Sequence, residues 1–189
     1  MIEQTSERAI FRRRLLSNPR QISAIAPSSR HLGAAMASGF GPTSGRVVEF
    51  GPGTGSISRA LLRAGLPPSH LTLFELDPEL ATYLQTALPP GVTIHNAPAQ
   101  TAAETPDLHD VDGVVSGLPL LSIPESIVHD LVSAAFRILA PGAPFVQFTY
   151  GPRVPLPAET IAKLGLRVER GERVLRNLPP ARIYRFRRC

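Results

Sequence analysis

The stretch Glu49-Phe-Gly-Pro-Gly-Thr-Gly55 decides the fold of this 189-residue chain. It follows a short apolar run at 46–50 and opens a segment, 54–64, in which Ile57 and Leu61 recur at helical spacing. Glycines let the backbone turn sharply and approach a ligand, and the first turn of the following helix offers free N–H donors. A strand, a glycine loop and a helix in this order predict a ligand-binding turn of a doubly wound sheet.

The second strand, predicted over 71–76, contains an acidic partner for the loop. Glu75 lies 24 residues after Gly51, where a carboxylate can reach the hydroxyls of a bound ribose. The Gly-x-Gly-x-Gly spacing and Pro52 argue against NAD, and the absence of a Gly-Lys-Ser/Thr sequence argues against a P-loop. Glu49 and Glu75 would repel a polyphosphate, whereas a cationic sulfonium ligand tolerates both.

The rest of the chain predicts an α/β fold of the Rossmann-like type. Its sheet is mostly parallel, with a C-terminal antiparallel pair and a helical extension at the N-terminus. We expect an N-terminal segment, 1–44, followed by one domain, 45–189. The predicted strands are 46–50, 71–76, 92–95, 113–116, 145–150, 166–175 and 181–187, and the predicted helices are 7–16, 28–38, 54–64, 77–88 and 124–139.

The net charge of +5 is unevenly distributed along the chain. Residues 1–31 carry +4 and residues 163–189 carry +7, whereas residues 32–162 carry −6. Basic ends around an acidic centre favour nucleic acid or an anionic membrane as a partner. An ordinary solvated surface in an arginine-rich chain is the alternative, since nineteen of the twenty cationic residues are arginine.

Composition excludes several other classes of protein. The sequence has no apolar run near 18 residues, so we expect no transmembrane helix, and the polar residues before Pro19 predict no signal peptide. The one cysteine, Cys189, excludes an internal disulfide and a metal site built from cysteines, and we predict no metal site.

Five stretches resemble the bacterial phospholipid N-methyltransferases, a family of class I S-adenosyl-L-methionine-dependent enzymes. The two most specific are Ala24-Ile-Ala-Pro-Ser-Ser29 and Ser116-Gly-Leu-Pro-Leu120. The resemblance implies methylation of the phosphatidylethanolamine headgroup and its methylated intermediates towards phosphatidylcholine. It also implies a core like that of the rRNA adenine dimethyltransferases. The matching stretches are 19–29, 49–55, 74–78, 114–120 and 147–152.

The resemblance also implies roles for individual residues around S-adenosyl-L-methionine. The glycine loop would wrap the methionine part, Glu75 would hold the ribose, and Leu76 would lie beside the adenine. Many relatives have Gly-Asp-Ala after the third strand, but this chain has Asn96-Ala-Pro98, so either the Asn96 amide or apolar contacts would hold the adenine. The implied cofactor-binding residues are Ile25, Ser28, Glu49, Gly51, Gly53, Thr54, Gly55, Glu75, Leu76, Asn96, Ala97, Ser116 and Gly117.

The methyl acceptor would sit at the loop after the fourth strand. An amine must be neutral to accept a methyl group, so a proton has to leave it before transfer. Ser116 and Tyr150 are candidates to orient the nitrogen, and His31 is a more distant candidate base. Structural roles are the alternative for all three. The predicted substrate-binding residues are Leu118, Pro119, Tyr150 and Arg153.

The basic ends then predict a peripheral protein on the inner leaflet of the cell membrane, with a phospholipid substrate and an anionic surface as partners. We expect no nucleic-acid partner, because we expect no appended helical domain of the rRNA-enzyme kind and the chain has eleven aromatic residues and no Trp. An rRNA or other nucleic-acid adenine N-methyltransferase and a non-catalytic cofactor-binding module remain alternatives. The predicted membrane-contacting residues are Arg8, Phe11, Arg12, Arg13, Leu15 and Leu16.

Overall fold

Seven strands form one sheet in the computed structural model, which describes residues 29–189. The strand order is β3-β2-β1-β4-β5-β7-β6. The first five strands run parallel to one another, and β7 is antiparallel to both β5 and β6. The strands are β1 (Val47–Phe50), β2 (Leu71–Phe74), β3 (Thr93–His95), β4 (Gly113–Ser116), β5 (Phe145–Thr149), β6 (Leu166–Val174) and β7 (Ala181–Arg188).

In the described part of the chain, five α-helices pack against this sheet, and all but the first lie between two of its strands. Within residues 29–189 every helix is too short or too polar to cross a bilayer. The helices are α1 (Arg30–Ala37), α2 (Ser56–Arg63), α3 (Pro78–Ala87), α4 (Glu125–Ile138) and α5 (Ala158–Lys163). Short 3₁₀ turns occupy Pro68–His70, Ala99–Glu104 and Leu120–Ser122.

The hydrophobic core is split by the sheet into two layers. Side chains alternate between the faces of a strand, so Val48 and Phe50 pack with α4 while Val47 packs with α1 and α2. Helix α1 lies against α2 so closely that an ideal Cβ on Gly33 would be 3.1 Å from the Cβ of Ala60. Helix α1 therefore belongs to the same hydrophobic core as the sheet. The predicted boundary between an N-terminal segment, 1–44, and the domain, 45–189, stays a prediction.

Local sequence signals set the helix boundaries as predicted. The Asp77 carboxylate accepts hydrogen bonds from the backbone N–H groups of Glu79 and Leu80, and Pro78 takes the first helical position of α3. Helix α2 ends before Gly65, whose φ of 97° suits a residue without a side chain.

The predicted α/β fold and its antiparallel closing strand are confirmed, with strand ends within two residues of those expected. Sequence reasoning missed α5 and the 3₁₀ turn at Ala99–Glu104, each only six residues long and therefore too short for an amphipathic pattern to repeat. The predicted helix over 7–16 lies outside the described residues.

Candidate functional site

The loops that follow β1, β2, β4 and β5 meet at one edge of the sheet. Parallel strands end at the same edge, and the register places Phe50 beside both Phe74 and Ser116 at the ends of their strands. The glycine loop, 51–55, is the predicted cofactor loop, and residues 116–119 are the predicted acceptor loop. The two loops are therefore neighbours, as a doubly wound sheet requires.

The glycine loop needs glycine for conformational reasons. Gly51, Gly53 and Gly55 have φ values of 66°, 56° and 79°, in the left-handed region that side chains disfavour. The Gly51 N–H donates to the Phe74 carbonyl at 3.0 Å, which ties the loop to β2. An ideal Cβ on Gly53 would meet nothing within 4 Å, so the loop is open to a ligand at its centre.

Glu75 connects this loop to the second strand. Its side chain is 6% exposed, and its two carboxylate oxygens accept from the Gly53 N–H at 3.0 Å and the Asp77 N–H at 2.9 Å. Burial raises the pKa of Glu75, and these backbone hydrogen bonds oppose the rise. The Leu76 N–H also lies near this carboxylate, and acceptor capacity remains for the ribose hydroxyls.

Glu49 is fully buried beneath the loop with one oxygen unsatisfied. The Ser58 hydroxyl donates to Oε2 at 2.6 Å, while Oε1 has no hydrogen-bond partner among the described residues. Burial raises the pKa of Glu49 to about 8, against the effect of the Ser58 hydrogen bond, and the nearby Glu75 adds to the rise. A buried carboxyl oxygen without a hydrogen-bond partner is rare in proteins, and such atoms and such pKa shifts are concentrated at ligand-binding and catalytic sites.

The acceptor loop after β4 is folded onto the glycine loop. Ser116 is fully buried, and its Oγ accepts from the Leu118 N–H at 3.3 Å, so the hydroxyl shapes the loop itself. The Gly117 N–H donates to the Phe50 carbonyl at 2.8 Å. An ideal Cβ on Gly117 would lie 2.5 Å from the carbonyl oxygen of Gly51, which leaves no room for a side chain.

Gln147, to which we assigned no role from the sequence, holds this loop from the neighbouring strand. Its register partner on β4 is Ser116, and its Nε2 donates to the carbonyls of Leu118 and Phe148, both at 3.0 Å. The side chain is 1% exposed, and its Oε1 lacks a partner among the described residues. The signal in the sequence is a lone amide within the apolar strand Phe145–Thr149.

Tyr150 lies at the end of β5 with its hydroxyl buried. Burial raises the pKa of Tyr150, and the nearby Asn177 side chain opposes the rise. The hydroxyl forms no hydrogen bond with a described residue, and the Asn177 amide near it binds Ser29 and Pro179 instead. Tyr150 therefore stays a predicted amine- and substrate-contacting residue.

The predicted adenine side of the site is built around Asn96. Its Nδ2 donates to the carbonyls of Glu75 at 3.0 Å and Leu76 at 3.2 Å, which fixes the turn after β2. The Ala97 N–H donates to the same Glu75 carbonyl at 3.1 Å. Because Nδ2 already donates both of its hydrogens to these carbonyls, Oδ1 of Asn96 is the atom that would accept a hydrogen bond from an adenine amino group. Leu76 is half-buried on the same turn, and its contact with the adenine stays a prediction.

Other predicted residues lie away from these contacts. His31 is exposed on the first turn of α1 and Arg153 is exposed after β5, and neither side chain forms a hydrogen bond with a described residue. Thr54 is exposed in the glycine loop, and Pro119 is half-buried in the acceptor loop. The predicted positions that lie outside the described residues are Arg8, Phe11, Arg12, Arg13, Leu15, Leu16, Ile25 and Ser28.

The residues present fit S-adenosyl-L-methionine. The unsatisfied Oε1 of Glu49 suits its cationic methionine end, and the open space at Gly53 admits it to the loop. Glu75 retains acceptors for the ribose, and Asn96 retains one for the adenine. When bound, this cofactor supplies an activated methyl group, and the acceptor loop lies directly against its predicted site.

Comparison with known proteins supports the same assignment. No protein-family model matches the chain. It is 30% identical over 139 residues to the ornithine lipid N-methyltransferase of Singulisphaera acidiphila, covering 70% of this chain and 72% of that protein. It is 40% identical over 91 residues to the ribosomal RNA small subunit methyltransferase A of Bordetella petrii. That match covers 48% of this chain and only 33% of that protein.

A solved structure shows the same fold with a product of the cofactor bound. The 1,6-didemethyltoxoflavin-N1-methyltransferase of Burkholderia thailandensis, crystallised with S-adenosylhomocysteine, superposes with a TM-score of 0.70 at 15% identity. The alignment covers 97% of this chain and 90% of that chain. The cofactor of the present chain is S-adenosyl-L-methionine. The chain belongs to the class I S-adenosyl-L-methionine-dependent methyltransferases, in the family that includes the ornithine lipid N-methyltransferase of Singulisphaera acidiphila.

Proposed function

We propose that this enzyme N-methylates the amine headgroup of a membrane lipid. The predicted substrate is phosphatidylethanolamine, with its methylated intermediates, towards phosphatidylcholine. The observation that carries the lipid assignment is the 30% identity, over 72% of its length, to an ornithine lipid N-methyltransferase. Phosphatidylethanolamine and ornithine lipid both present a primary amine, so the same acceptor loop suits either lipid.

The acceptor loop is placed to hold such an amine beside the cofactor. The Leu118 carbonyl accepts from Gln147 Nε2 at 3.0 Å and from the Leu120 N–H at 2.9 Å, so both of its lone pairs are used to fix the loop. Because Gly117 rests on Gly51, an amine held at this loop would lie next to the predicted methionine-binding loop. Holding the reacting nitrogen in place in this way supplies much of the rate enhancement of a displacement.

The amine must lose a proton before it is methylated. The Oε1 of Gln147 is a buried acceptor without a described partner, and the buried Tyr150 hydroxyl lies at the end of the same strand. Both atoms can accept a hydrogen bond from a neutral amine, whereas an ammonium would bring an unpaired charge into this buried region. This environment favours the neutral, reactive form of the substrate.

One observation favours a second candidate, an rRNA adenine N-methyltransferase. Identity to the Bordetella petrii rRNA enzyme reaches 40%, but over only 33% of that enzyme's length. The two candidates differ in the acceptor and share the cofactor site.

Methyl transfer from labelled cofactor separates these candidates. The purified chain is incubated with vesicles containing phosphatidylethanolamine, with vesicles containing ornithine lipid, and with ribosomal RNA. We expect label in one or both lipids and none in RNA. Label in RNA alone would overturn the lipid assignment, and label in ornithine lipid alone would replace phosphatidylethanolamine as the substrate.

A further inference from the structure

The hairpin loop between β6 and β7, residues 175–180, exposes two large apolar side chains. Leu175 is 68% exposed and Leu178 is 83% exposed. Among the described residues only Tyr83 and Leu121 are also large, apolar and exposed. The Tyr83 hydroxyl accepts a hydrogen bond from the Arg59 guanidinium at 3.1 Å. We call residues 175–180 the hairpin tip.

The hairpin tip lies at the edge of the sheet that contains the candidate site. Strand β7 is antiparallel to β5, and the register pairs Arg182, near the start of β7, with Thr149, at the end of β5. The tip therefore extends past the carboxyl end of β5, next to Tyr150. Leu121, 55% exposed, follows the acceptor loop, so all three exposed leucines lie at the edge of the sheet that contains the candidate site.

A buried anchor holds the tip in this conformation. Asn177, between the two leucines, is 3% exposed, and its Oδ1 accepts from the Ser29 N–H at 3.0 Å. Its Nδ2 donates to the Pro179 carbonyl at 2.8 Å. With Asn177 turned into the protein, the leucines on either side of it are held outward.

Unpaired arginines accompany these leucines. Arg173 and Arg176 are exposed, and neither forms an ion pair or side-chain hydrogen bond with any residue from 29 to 189. By contrast, Arg167 and Arg187, farther along the hairpin, both pair with Glu169. With Glu172 beside them, also unpaired within residues 29–189, Arg173 and Arg176 leave a net positive charge next to the exposed apolar side chains.

We propose that the hairpin tip inserts into an anionic lipid leaflet, with Leu175 and Leu178 in the acyl boundary and Arg173 and Arg176 at the headgroups. This proposal rests on the proposed function, which requires the site to meet a lipid. Apolar side chains gain by leaving water, and arginines gain at an anionic surface. RNA phosphates would attract the arginines but would leave both leucines in water.

The charges argue against two other occupants of this surface. Residues 1–28 contain five Arg and two Glu, so an arginine-rich segment would have to cover an arginine-rich tip. A second copy would bring its own unpaired arginines to the same place if it docked tip to tip. A leaflet has the opposite charge, and it would present lipid headgroups directly to the neighbouring acceptor loop.

The absence of tryptophan from the chain provides a direct test. The Leu178→Trp variant carries a single indole at the tip, and Tyr83→Trp carries one on α3 as the control. With vesicles of phosphatidylethanolamine and phosphatidylglycerol, we expect a blue shift of emission for Leu178→Trp and little change for Tyr83→Trp. An unshifted Leu178→Trp spectrum, or a shift with ribosomal RNA instead of vesicles, would overturn the proposal.

Binding measurements with matched variants extend the test. Leu175→Ser with Leu178→Ser, and Arg173→Gln with Arg176→Gln, are each expected to weaken sedimentation with these vesicles about tenfold or more. The control, Arg63→Gln with Arg137→Gln, removes the same charge from the last turns of α2 and α4, at the opposite edge. Binding equal to that of the unmodified protein in both tip variants would contradict the proposal.

An activity comparison separates failure of this proposal from failure of the proposed function. The leucine variant should lose methyl transfer to vesicle lipid but retain transfer to a short-chain aminolipid dissolved as monomers. Equal loss on both substrates would contradict a docking role. If the unmodified protein methylates neither lipid form, the proposed function fails, and the fluorescence of Leu178→Trp still decides whether the tip inserts.

Discussion

The Gly117 Cα packs against the backbone of Gly51, so that an ideal Cβ at Gly117 would lie 2.5 Å from the Gly51 carbonyl oxygen. Real Cβ atoms do not approach a carbonyl so closely, and the blocking atom belongs to backbone that cannot rotate away. The acceptor loop and the cofactor loop therefore form one unit whose spacing depends on glycine at both positions.

Gly117→Ala should separate these loops and slow methyl transfer. A displacement of about 1 Å between reacting groups can cost roughly 100-fold in rate, and we expect a kcat loss of that order. Steady-state kinetics check this result, with Gly41→Ala as the control because its Cβ would meet only an ordinary contact at 3.4 Å. An unchanged kcat for Gly117→Ala would show that the loop spacing does not limit the reaction.

Glu75→Ala should remove cofactor binding. Losing charge-assisted hydrogen bonds to two ribose hydroxyls, each worth about 1.5–3 kcal/mol, corresponds to a loss of affinity of roughly 100-fold or more. Calorimetric titration with S-adenosylhomocysteine measures it, and Glu79→Ala, an exposed glutamate on α3, is the matched control. Retained affinity in Glu75→Ala would contradict the ribose assignment.

Gln147→Leu should slow catalysis without weakening cofactor binding. The change removes the Nε2 donor to the Leu118 carbonyl and nearly conserves side-chain volume, so we expect kcat to fall about tenfold or more while cofactor affinity stays within about twofold. Gln85→Leu makes the same change at an exposed position of α3. Equal losses in cofactor affinity and kcat would indicate a general folding defect instead.

Glu49 predicts a pH-dependent stability of the cofactor-free protein. The pKa of this carboxyl is near its ordinary value of 4.5 in the unfolded chain and about 8 in the folded protein, so the folded state holds an extra proton between these values. This contribution to stability is fully present below pH 4.5 and is lost as the pH rises to about 8. Glu49→Gln, which cannot ionise, should flatten this dependence in thermal unfolding between pH 5 and pH 8. The same slope in both proteins would show that another group is responsible.

Local chemistry explains why the sequence predicted most of the fold. The glycine loop, the Asp77-Pro78 helix start and the isolated apolar strands are signals contained within a few residues, and each specifies its own backbone conformation. The fold class and the position of Glu75 at the end of β2 followed from them.

The parts that the sequence did not predict depend on contacts between distant segments. Asn177 binds Ser29 across 148 residues, and Gln147 reaches Leu118 across 29, so neither contact produces a local pattern. The exposure of Leu175 and Leu178 is also a tertiary property, because a leucine in a strand-rich segment is ordinarily expected in the core. The membrane prediction made from residues 8–16 lies outside the described residues, whereas the hairpin tip emerged from the structure.

The measurement that tests the central claim most directly is mass spectrometry of lipids from cells expressing the chain, beside cells expressing Glu75→Ala. The account predicts phosphatidylethanolamine or ornithine lipid heavier by whole methyl increments in the first cells and unmodified lipid in the second. Identical aminolipid profiles in both, with ribosomal RNA methylated only by the unmodified chain, would contradict it.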